Sequence, residues 1–198
     1  VYVTNADATL SHTGDGTSGV YIYGAQVEQQ SYATSYIPTS GASATRNQEL
    51  CNNATPVINS EEGTLYAEIK TLSQTGTFRQ INISKDSSNR IYISKRGDSN
   101  NLEFRMENPL GNLNFSFPQG TTTEFVKVAF RYGVNNFAVF INGVNKNVTP
   151  TGNVFSTGTL TNLEFNSPLN QPFFGNTKGL KYYPKALADV QLQDLTTI

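Results

Sequence analysis

From Thr64 to Phe165 the chain is written in short runs of alternating apolar and polar residues, each closed by Gly, Asn, Asp, Ser or Pro. Side chains alternate faces along a β-strand, so each run reads as a strand with one face inward and one outward. Many such runs with no long helical stretch between them predict a sandwich of antiparallel sheets. The pattern places strands at 64–70, 78–84, 90–96, 102–107, 112–117, 125–132, 136–142, 160–166 and 172–183. Asn142-Gly143 predicts a tight hairpin, because a type I′ turn needs positive φ at both central residues.

The same alternation assigns faces. Ile81, Ile83, Ile91, Ile93, Leu102, Phe104, Met106, Leu113, Phe115, Phe117, Val126, Val128 and Phe130 take inward positions. Gln80, Asn82, Tyr92, Ser94, Arg96, Glu103, Arg105, Glu107 and Asn114 then point outward, to water. If these strands are neighbours, the outward set is one polar face bearing Tyr and Arg, the surface best suited to a ligand. The candidate binding residues are therefore Gln80, Asn82, Tyr92, Arg96, Glu103 and Arg105. Arg offers a planar fork for carboxylates, and Tyr a stacking face with a hydroxyl at its rim.

A length of 198 residues suits one all-β domain with a small appendage. Fourteen Lys plus Arg against fifteen Asp plus Glu leave a net charge of −1, which argues against nucleic acid or an acidic membrane as partner. No run of about 18 apolar residues is present. One cysteine, Cys51, excludes an intrachain disulfide, and with His12 as the single histidine it excludes zinc sites of several Cys and His. No cofactor or metal is expected. The Asp15-Gly16 turn lacks the ligand spacing of a calcium loop, so calcium has no motif behind it.

The chain opens on Val1-Tyr2-Val3-Thr4, strand-like and without an initiator Met, and reads as a piece of something longer. Val20 to Glu28 alternates as a strand. A hairpin cannot bury a core alone, so residues 1–45 are expected to be an extended arm of closing strands and linker from a preceding domain. Val1, Val3, Val20, Ile22, Ala25 and Val27 would pack on a partner surface, and residues 46–198 would form the sandwich. Pro184 to Leu195 predicts a short terminal helix, with Pro184 in its first turn.

Two stretches carry family resemblances. Tyr23-Gly24-Ala25-Gln26-Val27-Glu28 with Ser31-Tyr32-Ala33-Thr34-Ser35-Tyr36-Ile37-Pro38-Thr39 resembles a segment of many bacteriophage tail and virion proteins. There it closes a carbohydrate-binding-like β-sandwich and leads into the next domain. Phe137 to Val144, with Tyr183-Pro184-Lys185-Ala186-Leu187-Ala188-Asp189 and Val190 to Leu195, resembles the concanavalin-A-like, laminin-G-like jelly roll. Val190-Gln191-Leu192 replaces that superfamily's usual acidic-plus-aliphatic step. The resemblance implies an all-β jelly-roll sandwich and leaves activity open, since lectins, hydrolases, lyases and structural domains share it.

Enzyme chemistry finds little to stand on. Glu103 and Glu107 lie four residues apart along one strand, about 13 Å, whereas glycosidase carboxylates sit about 5–9.5 Å apart. Arg105 between them would hold both ionised, and a solvated ion-pair row is the ordinary alternative. Gln80-Ile81-Asn82 resembles the Gln-Ile-His of jelly-roll alginate lyases, but an amide at Asn82 cannot take the proton that the His would. Tyr92, Tyr132, Tyr182 and Tyr183 are the candidates for stacking on sugar; Trp is absent.

These readings point to a non-enzymatic component of a phage virion, a tail fibre or capsid-associated domain outside cells. Its partners would be a host-surface glycan or other virion proteins. A homo-oligomer, a trimer by analogy with viral fibres, is expected. The alternatives are a carbohydrate-active lyase or hydrolase module and a secreted bacterial carbohydrate-binding module or adhesin.

Overall fold

A computed structural model describes residues 16–17, 21–28, 34–45, 56–71, 78–96, 99, 101–119, 124–173 and 175–198. Backbone contacts divide the chain into two units, Val1–Gln48 and Glu49–Ile198. Val1, Val3, His12, Asp15, Val20 and Cys51 lie outside the described residues.

The second unit is an all-β, jelly-roll-like sandwich. Among the described residues its strands are β1 (Glu62–Thr71), β2 (Arg79–Asp86), β3 (Asn89–Lys95), β4 (Asn101–Glu107), β5 (Leu113–Pro118), β6 (Val126–Gly133), β7 (Ala138–Ile141), β8 (Val144–Asn145), β9 (Asn162–Glu164) and β10 (Gly175–Tyr183). One sheet runs β10-β1-β6-β7-β8 and the other β5-β4-β3-β2-β9, every strand pair being antiparallel. Each of the nine expected strands has its counterpart, and β8 is added beyond the Asn-Gly turn. Asn142 and Gly143 adopt φ of 49° and 77°, as a type I′ turn requires.

Between the sheets lie Leu65, Ile69, Ile81, Ile83, Ile91, Ile93, Leu102, Phe104, Met106, Val128 and Phe130, all buried. Aromatic rings knit the two layers. Phe130 of β6 meets Phe104 of β4 edge-on at 5.8 Å and Phe115 of β5 at 6.3 Å. Leu113, Phe115 and Phe117, on the edge strand β5, are only half-buried against this core. Tyr132 donates its hydroxyl to the Asn59 carbonyl at 2.6 Å and shares a 2.9 Å bond with Tyr182, so both hydroxyls are satisfied inside. Burial pushes the pKa of each phenol up. Tyr132 is therefore a core residue and half-buried Tyr182 packs against the core, in place of the sugar platforms expected of them; strand parity puts both on the inward face.

The terminal helix α1 spans Asp189–Thr196, starting later than expected. Pro184 is not in its first turn, because Thr64 and Glu62 capture the backbone there: Thr64 bonds the Lys185 carbonyl and the Leu187 amide, and Glu62 the Ala186 amide. Groups tied to side chains in this way hold the segment extended until Ala188. Leu187 and Leu192 then close over Ala129, Ala138 and Phe140 on the outer face of the first sheet.

In the first unit, residues 21–28 form no strand, contrary to the alternation. A strand exists only with a hydrogen-bonded neighbour, and none is described for this run. Tyr21, Ile22, Tyr23 and Val27 are exposed. Side chains organise the segment instead. Gln26 and Glu28 bond each other, Gln26 accepts from the Ile37 amide at 2.8 Å, and Glu28 accepts from the Thr34 hydroxyl at 2.7 Å. Tyr23 and Tyr36 pack at 5.6 Å between centroids.

Candidate functional site

Strand register decides which polar residues meet on the outer face of the second sheet. Gln80, Ser94, Glu103 and Ser116 form one row across β2, β3, β4 and β5. Asn82, Tyr92, Arg105 and Asn114 form the next, with Glu164 of β9 beside Asn82. Ser84, Arg90 and Glu107 form a third. Strands lie about 4.8 Å apart and alternate residues about 7 Å, so the rows make a compact polar grid. Arg96 follows β3 and reaches Glu103 at 2.7 Å. All six candidate residues are thus on one face.

Their surroundings differ from those expected. Asn82 and Glu103 are 0% exposed, and Gln80, Tyr92 and Ser94 are also buried. In the row read as solvated, Glu103 is withdrawn from water while Arg105 and Glu107 stay partly exposed. Alternation reports the face a side chain takes and says nothing of what excludes water from that face. The openings are at Arg105 and Arg96, whose side chains are 28% and 29% exposed, and at exposed Asn114 and Ser116 on β5.

Glu107 organises one half of the grid. Arg90 donates to its Oε2 through Nε at 3.1 Å and Nη2 at 2.9 Å, and Arg105 lies 3.3 Å from Oε1. The Tyr92 hydroxyl donates to the same Oε1 at 3.1 Å. Arg90 also stands 4.7 Å above the Tyr92 ring, an energetically favourable cation–π distance. Burial, then the Glu107 charge, hold the Tyr92 phenol well above its ordinary pKa. Arg105 does not bridge the two carboxylates as expected: Glu107 takes Arg90 and Arg105, and Glu103 takes Arg96.

Amides tie the grid to the next segment. Gln80 Oε1 accepts from Asn82 Nδ2 at 3.0 Å and Arg90 Nη1 at 3.2 Å, while Gln80 Nε2 donates to Gln171 Oε1 at 2.7 Å. Four buried atoms on this face have no hydrogen-bond partner among the described residues: Asn82 Oδ1, Ser94 Oγ, Glu103 Oε2 and Arg105 Nε. Buried polar atoms are rarely left so, since each costs about 1–3 kcal/mol. All four lie on one face of the sheet.

At the end of the grid, Glu107 also forms part of the wall of an open cavity of about 410 Å³. Ser87 and Ser88 of the β2–β3 turn line it, with Asn108, Pro109, Gly111 and Asn112 of the β4–β5 turn. Both turns are shaped by side chains. Asp86 accepts from the Ser88 and Asn89 amides, and Asn108 accepts from the Leu110 amide while donating to the Val154 carbonyl.

Sequence reasoning missed Arg90, which parity would have placed outward, and did not include Glu107 or Ser94 among the binding candidates. It also missed the cavity, whose turn residues carry no period. Among the described residues no group of three His, Cys, Asp or Glu is placed to hold a metal, and no helix is long and apolar enough to cross a membrane.

No protein-family model matches this chain, and no curated protein matches it. Solved structures do. Domain 4 of AbnA, a GH43 extracellular arabinanase from Geobacillus stearothermophilus solved with arabinotriose, overlays 71% of this chain and 68% of its own at TM-score 0.58 and 20% identity. A SAP-like pentraxin from Limulus polyphemus overlays 70% of each chain at TM-score 0.51 and 16% identity. The chain spans 35% of the botulinum neurotoxin DC binding domain solved with rat synaptotagmin II, at TM-score 0.45. At these identities the likeness establishes the fold: this chain carries a jelly-roll-like β-sandwich.

Proposed function

We propose that the second unit is a non-enzymatic glycan-binding domain, and that the grid of Gln80, Asn82, Tyr92, Arg96, Glu103 and Arg105 is its ligand face. The observation that carries this reading is a charge-balanced polar face that opens at Arg96, Arg105, Asn114 and Ser116. A sugar hydroxyl both donates and accepts, so it suits the mixed donors and acceptors at that opening. Domain 4 of AbnA, of like fold, was solved with a sugar bound, which favours the same class of ligand here.

Two features argue for binding without cleavage. Glu103 and Glu107 stand four residues apart along β4, about 13 Å, beyond the separation of about 5–9.5 Å at which paired carboxylates cleave a glycoside. Asn82 can neither take nor release a proton at neutral pH. The virion setting rests on the resemblance of residues 23–39 alone, and the homo-oligomer on analogy with viral fibres.

A glycan array read beside an assay for new reducing or unsaturated ends tests the reading. Retention without product, weakened by Arg105→Ala, is the expected result. Product formation abolished by Glu103→Gln would make the chain an enzyme, and binding unchanged in Arg105→Ala and Arg96→Ala would move the site elsewhere. Light scattering of the purified chain checks the oligomer, and immunolabelling of particles the virion.

A further inference from the structure

We infer that the ligand is an uncharged, hydroxyl-rich chain rather than an acidic glycan, and that it runs along β4 and β5 from the Arg96–Glu103 pair into the cavity at the turns. This rests on the glycan-binding reading and specifies it.

Charge balance is the first argument. Arg90, Arg96 and Arg105 share the face with Glu103, Glu107 and Glu164, so the grid carries no net charge to draw a polyanion. The guanidinium forks, moreover, are already engaged: Arg90 with Glu107 and Gln80, Arg105 with Glu107, Arg96 with Glu103. A ligand carboxylate could reach Arg105 or Arg96 only by sharing a guanidinium with Glu107 or Glu103, whose own negative charge would oppose it. The use of these arginines for ligand carboxylates, expected from sequence, is thereby disfavoured.

Hydrogen-bond sense is the second. The accessible part of the face, Arg96, Arg105, Asn114 and Ser116, mixes donors with groups that also accept. An ionised uronate group only accepts and leaves those acceptors unmet. A hydroxyl satisfies either sense.

Extent is the third. Glu103 and Glu107 are separated by about 13 Å along β4, and Glu107 is common to the grid and to the cavity wall. Face and cavity therefore join at one side chain. The cavity offers Ser87 and Ser88 with the Asn112 amide, and it is open where a side chain on Gly111 would stand. This lining suits a further neutral sugar unit rather than an apolar or charged group.

The test is calorimetry on the full chain with short and long gluco-, manno- and galacto-oligosaccharides, set against oligogalacturonates of the same lengths at low and high salt. At least one neutral series should bind about tenfold tighter than the uronates and show no salt dependence. Long oligomers should bind about tenfold tighter than short ones. Ser88→Trp, at an exposed turn position, should fill the cavity and abolish that length advantage, with the melting temperature unchanged. Uronates binding tighter, with affinity falling as salt rises, would overturn the inference and leave the glycan reading standing. Equal affinity for short and long neutral chains, unaffected by Ser88→Trp, would overturn the extended path. Binding to neither class would overturn the glycan reading and this inference with it.

Discussion

The outer faces of the two sheets are built on opposite principles. On the first sheet, Ala129, Ala138 and Phe140 are covered by Leu187 and Leu192, and the chain fastens its own cover. Arg131 holds the Leu187 carbonyl at 2.9 Å and Asp189 at 2.6 Å, and Lys127 holds the Thr197 carbonyl at 2.8 Å. One donor, Arg131 Nε, has no partner among the described residues. On the second sheet the outer face is polar, buried over β2 and β3 and open at Arg96, Arg105 and β5, and four of its buried atoms have no hydrogen-bond partner among the described residues. The first arrangement maximises apolar burial; the second presents polar groups at an open rim. Stability should therefore depend on the first face and recognition on the second.

The largest expected effect tests the apolar cover. Leu192→Ala empties a buried position beneath the helix and should cost about 3 kcal/mol, read as a lower urea midpoint with sugar binding retained. A loss of binding at unchanged stability would reverse the assignment of the two faces. Gly63→Ala comes next, because a Cβ there would lie 2.5 Å from the Tyr132 hydroxyl and 2.6 Å from its Cζ. Since Tyr132 is held inside by Asn59 and Tyr182, it cannot easily give way, and a loss of about 2 kcal/mol is expected. An unchanged midpoint would mean that the tyrosine pair is not the fixed post of the first sheet.

Ser94→Ala should do the reverse. Its hydroxyl makes no bond among the described residues, so stability should move by no more than about 0.5 kcal/mol, in either direction. Glycan affinity should fall. If stability drops by several times that amount while binding survives, the grid is a structural core and the contrast between the faces disappears.

At neutral pH the last prediction has no effect at all. Tyr92 on the second sheet and Tyr132 on the first both have folded pKa values raised by burial. A raised value means that stability is intact below the unfolded phenol's pKa of about 10 and is lost as pH rises beyond it. Melting temperature should fall above about pH 10. Tyr92→Phe should lessen that fall, since one buried phenol no longer resists ionisation; an identical alkaline profile in the variant would show Tyr92 to be accessible to base.

Strand positions and faces were legible because the side-chain period of a strand is local: Ile81, Ile83, Ile91 and Ile93 announce the core without reference to any partner. The Asn142-Gly143 turn was legible for a similar reason, positive φ being a property of those two residues. The run from Tyr21 to Glu28 misled because alternation is necessary for a half-buried strand and does not supply the neighbour. Pro184 misled because the bonds that hold its segment extended come from Glu62 and Thr64, far away in sequence. The six candidate residues were found on one face, yet their condition was not foreseen. Nothing in the spacing of Glu103, Arg105 and Glu107 says that Arg96 and Arg90 are the arginines that hold the two carboxylates.

By itself, then, the sequence determined which segments extend, which side chains face inward and which polar residues could share a surface, since these follow from backbone geometry within each strand. Only the tertiary structure decided how far that surface is withdrawn from water, which charges pair across it, which atoms are left unbonded, and that two turns remote from each other enclose a cavity beside Glu107. Those properties belong to register and packing, where residues distant along the chain meet, and no local period carries them.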